Sequence, residues 1–107
     1  MIYVSDQAAF SLEGEVVGVG DLDAQAAQTF TNLQTVLLAG GSDLSKIIKV
    51  AIFLKDMSNF NKIVALRERY FPPSYPADTI VEITSLALSE VEIEIEAMAF
   101  IEGEIIG

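Results

Sequence analysis

Alternation of apolar and polar residues is sharpest between Pro76 and Ala99. Thr79-Ile80-Val81-Glu82-Ile83 and Val91-Glu92-Ile93-Glu94-Ile95-Glu96-Ala97-Met98-Ala99 both repeat with a period of two, the pattern of strands with one buried face. Only Leu86-Ala87-Leu88-Ser89 and its neighbours separate them, so the spacing predicts a β-hairpin. Its second arm sets Val91, Ile93, Ile95, Ala97, Ala99 and Ile101 on one face. Glu92, Glu94, Glu96, Met98 and Phe100 take the other. From the pattern alone, such a row of acids reads as a solvated face.

Further upstream, Ile2-Tyr3-Val4-Ser5 reads as a short strand and Val16-Val17-Gly18-Val19 as a second extended piece. Leu22, Ala26, Phe30, Leu33, Val36 and Leu37 then recur at three- and four-residue steps, the stripe of an amphipathic helix. Asp21 or Asp23 can cap its start, and Gly40-Gly41 closes it. Gln25, Gln28, Asn32 and Gln34 fall largely off the stripe. Ser42 to Ser45 predicts a capped turn, and the apolar run between Lys46 and Lys55 predicts a central strand covered on both faces. A second helix capped by Asp56 or Ser58 carries Phe60, Ile63, Val64 and Tyr70 and stops at Pro72-Pro73. The tail from Ile101 to Gly107 either extends the last strand or frays. Helices alternating with strands, with both helices able to cover one sheet face, predict an α/β (α+β) two-layer sandwich in the order β(β)αβαββ.

Composition narrows the function. With 107 residues and no repeat or linker, the chain reads as one domain, residues 1–107. Hydrophobic residues make up 51% of it, more than so small an interior can hide, so the uncovered sheet face is expected to pack against other copies. Cysteine is absent, which removes disulfide and thiol chemistry and fits a cytoplasmic protein. Histidine is absent too, and with it the commonest general base and transition-metal ligand; no metal or cofactor is expected. Six basic against sixteen acidic residues give a net charge of −10, a field that opposes nucleic acid. No apolar run is long enough to span a bilayer, and Met1-Ile2-Tyr3-Val4 lacks the features of a signal peptide.

The chain resembles the Rid family, also called YjgF/YER057c/UK114. The resemblance is carried in family order by Ile2-Tyr3-Val4-Ser5-Asp6-Gln7, Asn32-Leu33, Val50-Ala51-Ile52-Phe53-Leu54-Lys55-Asp56-Met57 and Asn59-Phe60. Tyr70-Phe71, Pro76-Ala77, Val81-Glu82-Ile83 and Ile93-Glu94-Ile95-Glu96-Ala97-Met98-Ala99 continue it. It implies a chorismate-mutase-like fold, a homotrimer and three clefts between subunits, in which many members deaminate enamines and imines.

Site residues follow from the same resemblance. Glu94 matches the family glutamate that positions the hydrolytic water, and Ser5 matches a serine lining the cleft, although Asp6 replaces the glycine after it. Asp78 stands where active members carry an arginine that anchors the substrate carboxylate, and Val64 where many carry an asparagine. The family's first strand, with its cleft tyrosine, has no counterpart in the sequence. If Asp78 and Glu94 share a cleft, like charges resist ionising together and leave one carboxyl able to act as acid or base. The inverted charge predicts a neutral or cationic ligand. Three functions are therefore expected: a small-molecule-binding trimer without the usual 2-imino-acid deaminase activity, an imine or enamine hydrolase using Glu94, or a protein-interaction trimer.

Overall fold

Short polar side chains answer orphan amides at the start of the first long helix and of both 3-10 turns. The Asp21 carboxylate accepts from the Ala24 N–H at 3.2 Å and opens α1, Leu22–Ala39. Gly41, at φ +84°, supplies the left-handed residue after α1, while Gly40 keeps φ −90°. Asp43 caps a 3-10 turn at Leu44–Lys46 that leads into strand β2, Ile47–Leu54. Asp56 caps another at Met57–Asn59, from which α2, Phe60–Tyr70, continues. Strands β1, Ile2–Gln7, β3, Ala77–Glu82, and β4, Ile93–Ala99, complete the fold. This computed structural model describes residues 1–71, 76–86 and 88–101; Pro72, Pro73, Tyr75, Ala87 and the tail beyond Ile101 lie outside the described residues.

The four strands form one mixed sheet in the order β1-β4-β2-β3. This corrects the expected hairpin. β3 runs parallel to β2, with Val50 opposite Asp78 and Ile52 opposite Ile80, and β4 lies antiparallel on the other side of β2. The two alternating arms never pair. Period-two patterning tells which face of a strand is buried but not which strand lies beside it. β2 has two edges to fill, and a strand returning through α2 fits the parallel one. The Val16–Val19 piece is likewise not a strand; only an isolated bridge joins Phe10 to Val16.

Both helices cover one face of the sheet. Val50, Ile52 and Leu54 of β2 and Ile93, Ile95, Ala97 and Ala99 of β4 meet Phe30, Leu33 and Leu37 of α1 and Ile63 and Leu66 of α2. Phe30 stacks on Tyr70 with ring centroids 4.2 Å apart and takes Phe71 edge-on at 5.7 Å, which ties the helices together. The predicted α1 stripe is buried except at Val36, which is 38% exposed. β2 is central, yet on its other face Lys49 is exposed and Ala51 and Phe53 are half-buried, so among the described residues the expected cover on both sides is met on one only.

The polar residues of α1 are more deeply used than their placement off the stripe suggested. The Asn32 amide donates to the Ala8 and Phe10 carbonyls at 2.8 and 2.9 Å, and Gln34 accepts from the Leu44 N–H at 2.8 Å. Gln25 is fully buried. These bonds pin irregular segments to the helix that the core holds in place.

Ile52→Ala should cost roughly 2–5 kcal/mol in urea unfolding, since the site is central and closed, whereas Val36→Ala should stay within about 0.5 kcal/mol. Acid acts on the caps. Lys46, then Ser45, holds the Asp43 carboxyl below the usual range, and Ser58 does the same for Asp56. A lowered folded value means stability present above the unfolded value and lost as pH falls through the folded one. Protection of the Ser45 and Ser58 amides against exchange should therefore be lost as the pH falls below the ordinary carboxylate range.

Candidate functional site

The sheet face opposite the helices carries the polar chemistry. Strand alternation sends Tyr3 of β1, Glu94, Glu96 and Met98 of β4, Lys49, Ala51 and Phe53 of β2, and Thr79 and Val81 of β3 to this side. Register sets them in rows: Glu94 beside Phe53 and Val81, Glu96 beside Ala51 and Thr79, and Tyr3 beside Met98 and Lys49. Among the described residues Glu94 is the one buried acid, 8% exposed. A carboxylate is costly to remove from water, so its retention there marks it as a candidate working group.

Tyr3, Lys49, Ala51, Glu96, Ala97 and Met98 line a depression of about 100 Å³ on this face. The hydrogen bond from the Tyr3 hydroxyl to Glu96 raises its pKa above the ordinary phenol value, so the proton stays on oxygen and joins β1 to β4. Space of this size suits a few waters rather than a metabolite, which needs about 300 Å³ or more. A broader groove of about 590 Å³ runs between α1 and the loop after β1, lined by Gln7, Phe10, Leu12, Gln28, Asn32 and Val36 among others, and contains none of the expected site residues.

The expected site residues do not converge within one chain. Ser5 is exposed on β1, at the irregularity between Val4 and Gln7. Val64 is half-buried on α2. Asp78 pairs in register with Val50, whose side chain enters the core, so it leans toward the helices rather than the open face. Glu94 faces the other way and sits three residue steps along and two strands across, roughly 10 Å in each direction. Within the chain the two carboxyls lie on opposite faces of the sheet and share no cleft.

Asp78 has a different partner. Nη1 of Arg67 on α2 donates to its carboxylate at 2.6 Å, with side chains 26% and 20% exposed. The negative charge at position 78 is therefore balanced within the chain, and Arg67 turns toward β3 rather than into open solvent. Sequence spacing could not reveal the pair, because it joins a helix to a strand through the tertiary fold. Gln25 was also missed, although a signal existed: it lies three residues after Leu22 and four before Thr29, inside the buried arc. Among the described residues no cluster of three or more acids or other ligating side chains suits a metal ion, and no helix is long and apolar enough to cross a membrane.

A mixed sheet with two helices on one face and polar groups on the other defines the class: an α+β two-layer sandwich with an open, polar sheet face. The family profile described as Endoribonuclease L-PSP matches residues 1–101. A RutC family protein of Pyrococcus horikoshii, PH0854, is 42% identical over 89 residues, covering 83% of this chain and 69% of that protein. A 2-iminobutanoate/2-iminopropanoate deaminase of Dermatophagoides farinae is 29% identical over 94% of this chain and 78% of its own length. The crystal structure of RidA from the Antarctic bacterium Psychrobacter sp. PAMC 21119 superimposes with a TM-score of 0.85 at 29% identity, covering 92% of this chain and 79% of that one. The chain belongs to the Rid family, the YjgF/UK114 group of proteins.

A double-mutant cycle of Arg67→Ala and Asp78→Ala should give a coupling of about 1 kcal/mol, discounted for partial exposure and shrinking in high salt. Arg67→Ala alone should destabilise more than the double variant, because it strands a half-buried carboxylate. Chemical denaturation at low and high salt measures both.

Proposed function

We propose that this protein is a small-molecule-binding member of its family that acts as a trimer of single-domain chains, with clefts between subunits, and that its ligand is neutral or cationic rather than a 2-imino acid. The observation that carries the reading is the Arg67–Asp78 pair. At the position where the family resemblance calls for an anchoring arginine, the chain has an acid whose charge is already balanced by its own helix. A substrate carboxylate would meet a neutral pair there instead of an unbalanced cation. Loss of one partner of a desolvated charge pair costs roughly 2–5 kcal/mol, which is a large share of a metabolite's binding energy.

Trimer formation is supported by burial and by size. The open face exposes Tyr3 at 61% and leaves Phe53 and Met98 half-covered, while its own depression is too small for a metabolite. A second chain would provide both the missing apolar cover and the missing wall. Ser5, Val64, Asp78 and Glu94, which lie apart in one chain, could then be contributed to a cleft by two. The lack of cysteine fits the reducing cytoplasm as the compartment.

A second reading is favoured by the buried Glu94 and by the mite relative named as an imine deaminase. Here Glu94 takes a proton from water as the oxygen attacks the imine carbon. Glu94 passes that proton to the nitrogen, giving a neutral carbinolamine. The same carboxylate then takes the hydroxyl proton and delivers it to the amine, so that the C–N bond breaks, ammonia leaves and the carbonyl compound remains. Cleavage of RNA, which the profile's description suggests, finds little support in a chain of net charge −10 without histidine.

Light scattering should give a mass of about three times the 11.6 kDa chain. Ammonia release should be at least about tenfold slower from 2-iminobutanoate than from an uncharged imine of similar size, and Asp78→Ala, which removes the negative charge at that position, should narrow that gap. Equal turnover of the two substrates by the unmodified protein would overturn the ligand assignment. No ammonia from either would exclude the hydrolytic reading and leave the binding one.

A further inference from the structure

We propose that Gln25 is the positioning residue for Glu94: its buried amide locks the segment leading into β4 to helix α1, and so fixes which residue of β4 stands at the working position of the open face. The inference rests on the reading above in which Glu94 is the working group.

Gln25 has no exposed surface, and its polar atoms are used in a way that only an amide allows. Nε2 donates to the Glu90 carbonyl at 2.7 Å and to the Gly18 carbonyl at 3.4 Å, and Oε1 accepts from the Glu92 N–H at 2.8 Å. Carbonyls on one side and an N–H on the other leave a single orientation of the amide that satisfies all three. A carboxylate lacks the donors, and an apolar side chain of the same size lacks both functions. Three irregular backbone groups therefore depend on one side chain: that of Gly18, seven residues before it in sequence, and those of Glu90 and Glu92, 65 and 67 residues after it.

The segment is held from its other side by Lys55. The Lys55 N–H donates to the Glu92 carbonyl at 3.2 Å and its Nζ to the Ser89 carbonyl at 2.6 Å. Glu92 is thus clamped at its N–H by the helix and at its C=O by the strand next door, two residues before Glu94. Two residues is one pleat repeat, so what fixes Glu92 fixes the side to which Glu94 points. A slip of one residue would send Glu94 into the core and Ile93 or Ile95 onto the open face. Strand alternation offers Glu92, Glu94 and Glu96 as three equivalent acids; the clamp is a local device that singles out one of them to stand beside Phe53.

Gln25→Leu and Gln25→Glu test this beside Leu37→Ala, a core truncation toward the other end of the same helix that serves as the stability-matched control. Amide exchange at Glu92 should quicken roughly tenfold in Gln25→Leu and stay near the unmodified rate in Leu37→Ala once global stability is allowed for. That readout reports the bond itself. Two others separate positioning from plain support: the cross-strand NOE between Phe53 and Glu94 should weaken in Gln25→Leu, and kcat on the uncharged imine should fall roughly tenfold with KM little changed. Gln25→Glu keeps an acceptor for the Glu92 N–H but presents an anion to two carbonyls. Its defect should shrink on acidification, as the protonated carboxyl regains a donor, while that of Gln25→Leu should not. If the protein hydrolyses no imine, the hydrolytic reading fails, and the exchange and NOE measurements still decide the role of Gln25. A Gln25→Leu protein that matches Leu37→Ala in stability and keeps the Phe53–Glu94 contact at full strength overturns the proposal.

Discussion

One constraint organises the molecule: a four-stranded sheet buries only one of its faces against its own helices. Ile93, Ile95, Ala97 and Ala99 can face the core only if Glu94, Glu96 and Met98 face away from it. The hydrophobic burial that stabilises the fold thereby builds the polar face. The buried Glu94 lies on that second face, and the Arg67–Asp78 pair lies at the edge where β3 meets α2.

At that edge, two opposite charges are paired within the chain. A guanidinium lies next to position 78, but it comes from α2 and is bonded to the acid of β3. A helix residue and a strand residue hold each other in a partly dry environment, where opposite charges attract more strongly than in water. The pair is electrically balanced and geometrically fixed. It changes what an anionic ligand would meet at that end of the sheet, and it fastens the β2–α2–β3 crossover, which Glu82 also ties by accepting from the Met57 N–H.

The polar side chains of α1 have a second organising role. Asn32, Gln34 and Gln25 reach from a helix fixed by its apolar stripe to the loop after β1, the turn before β2 and the approach to β4. Unpaired backbone groups in these loops would be costly where water is excluded, and one amide can satisfy two or three of them. The helix thus acts as a rigid ruler against which irregular segments are registered. Loops held in this way can carry exposed residues without letting the neighbouring strands drift.

Much of this was legible in the amino-acid order alone. Apolar spacing determined both helices, the central strand and the inward face of β4, because each is set by residues within a few positions of one another. The choice of Asp21 over Asp23 and of Asp56 over Ser58 as cap was left to the structure. The ordered motifs determined the family. Tertiary structure alone decided who neighbours whom. It placed β2 between the two arms that looked like a hairpin, put Asp78 and Glu94 on opposite faces, paired Arg67 with Asp78 and buried Gln25 among distant carbonyls. Periodicity records which way a side chain points relative to its own element; a strand's partner, an ion pair between elements and the far end of a buried hydrogen bond depend on how separate elements meet in space.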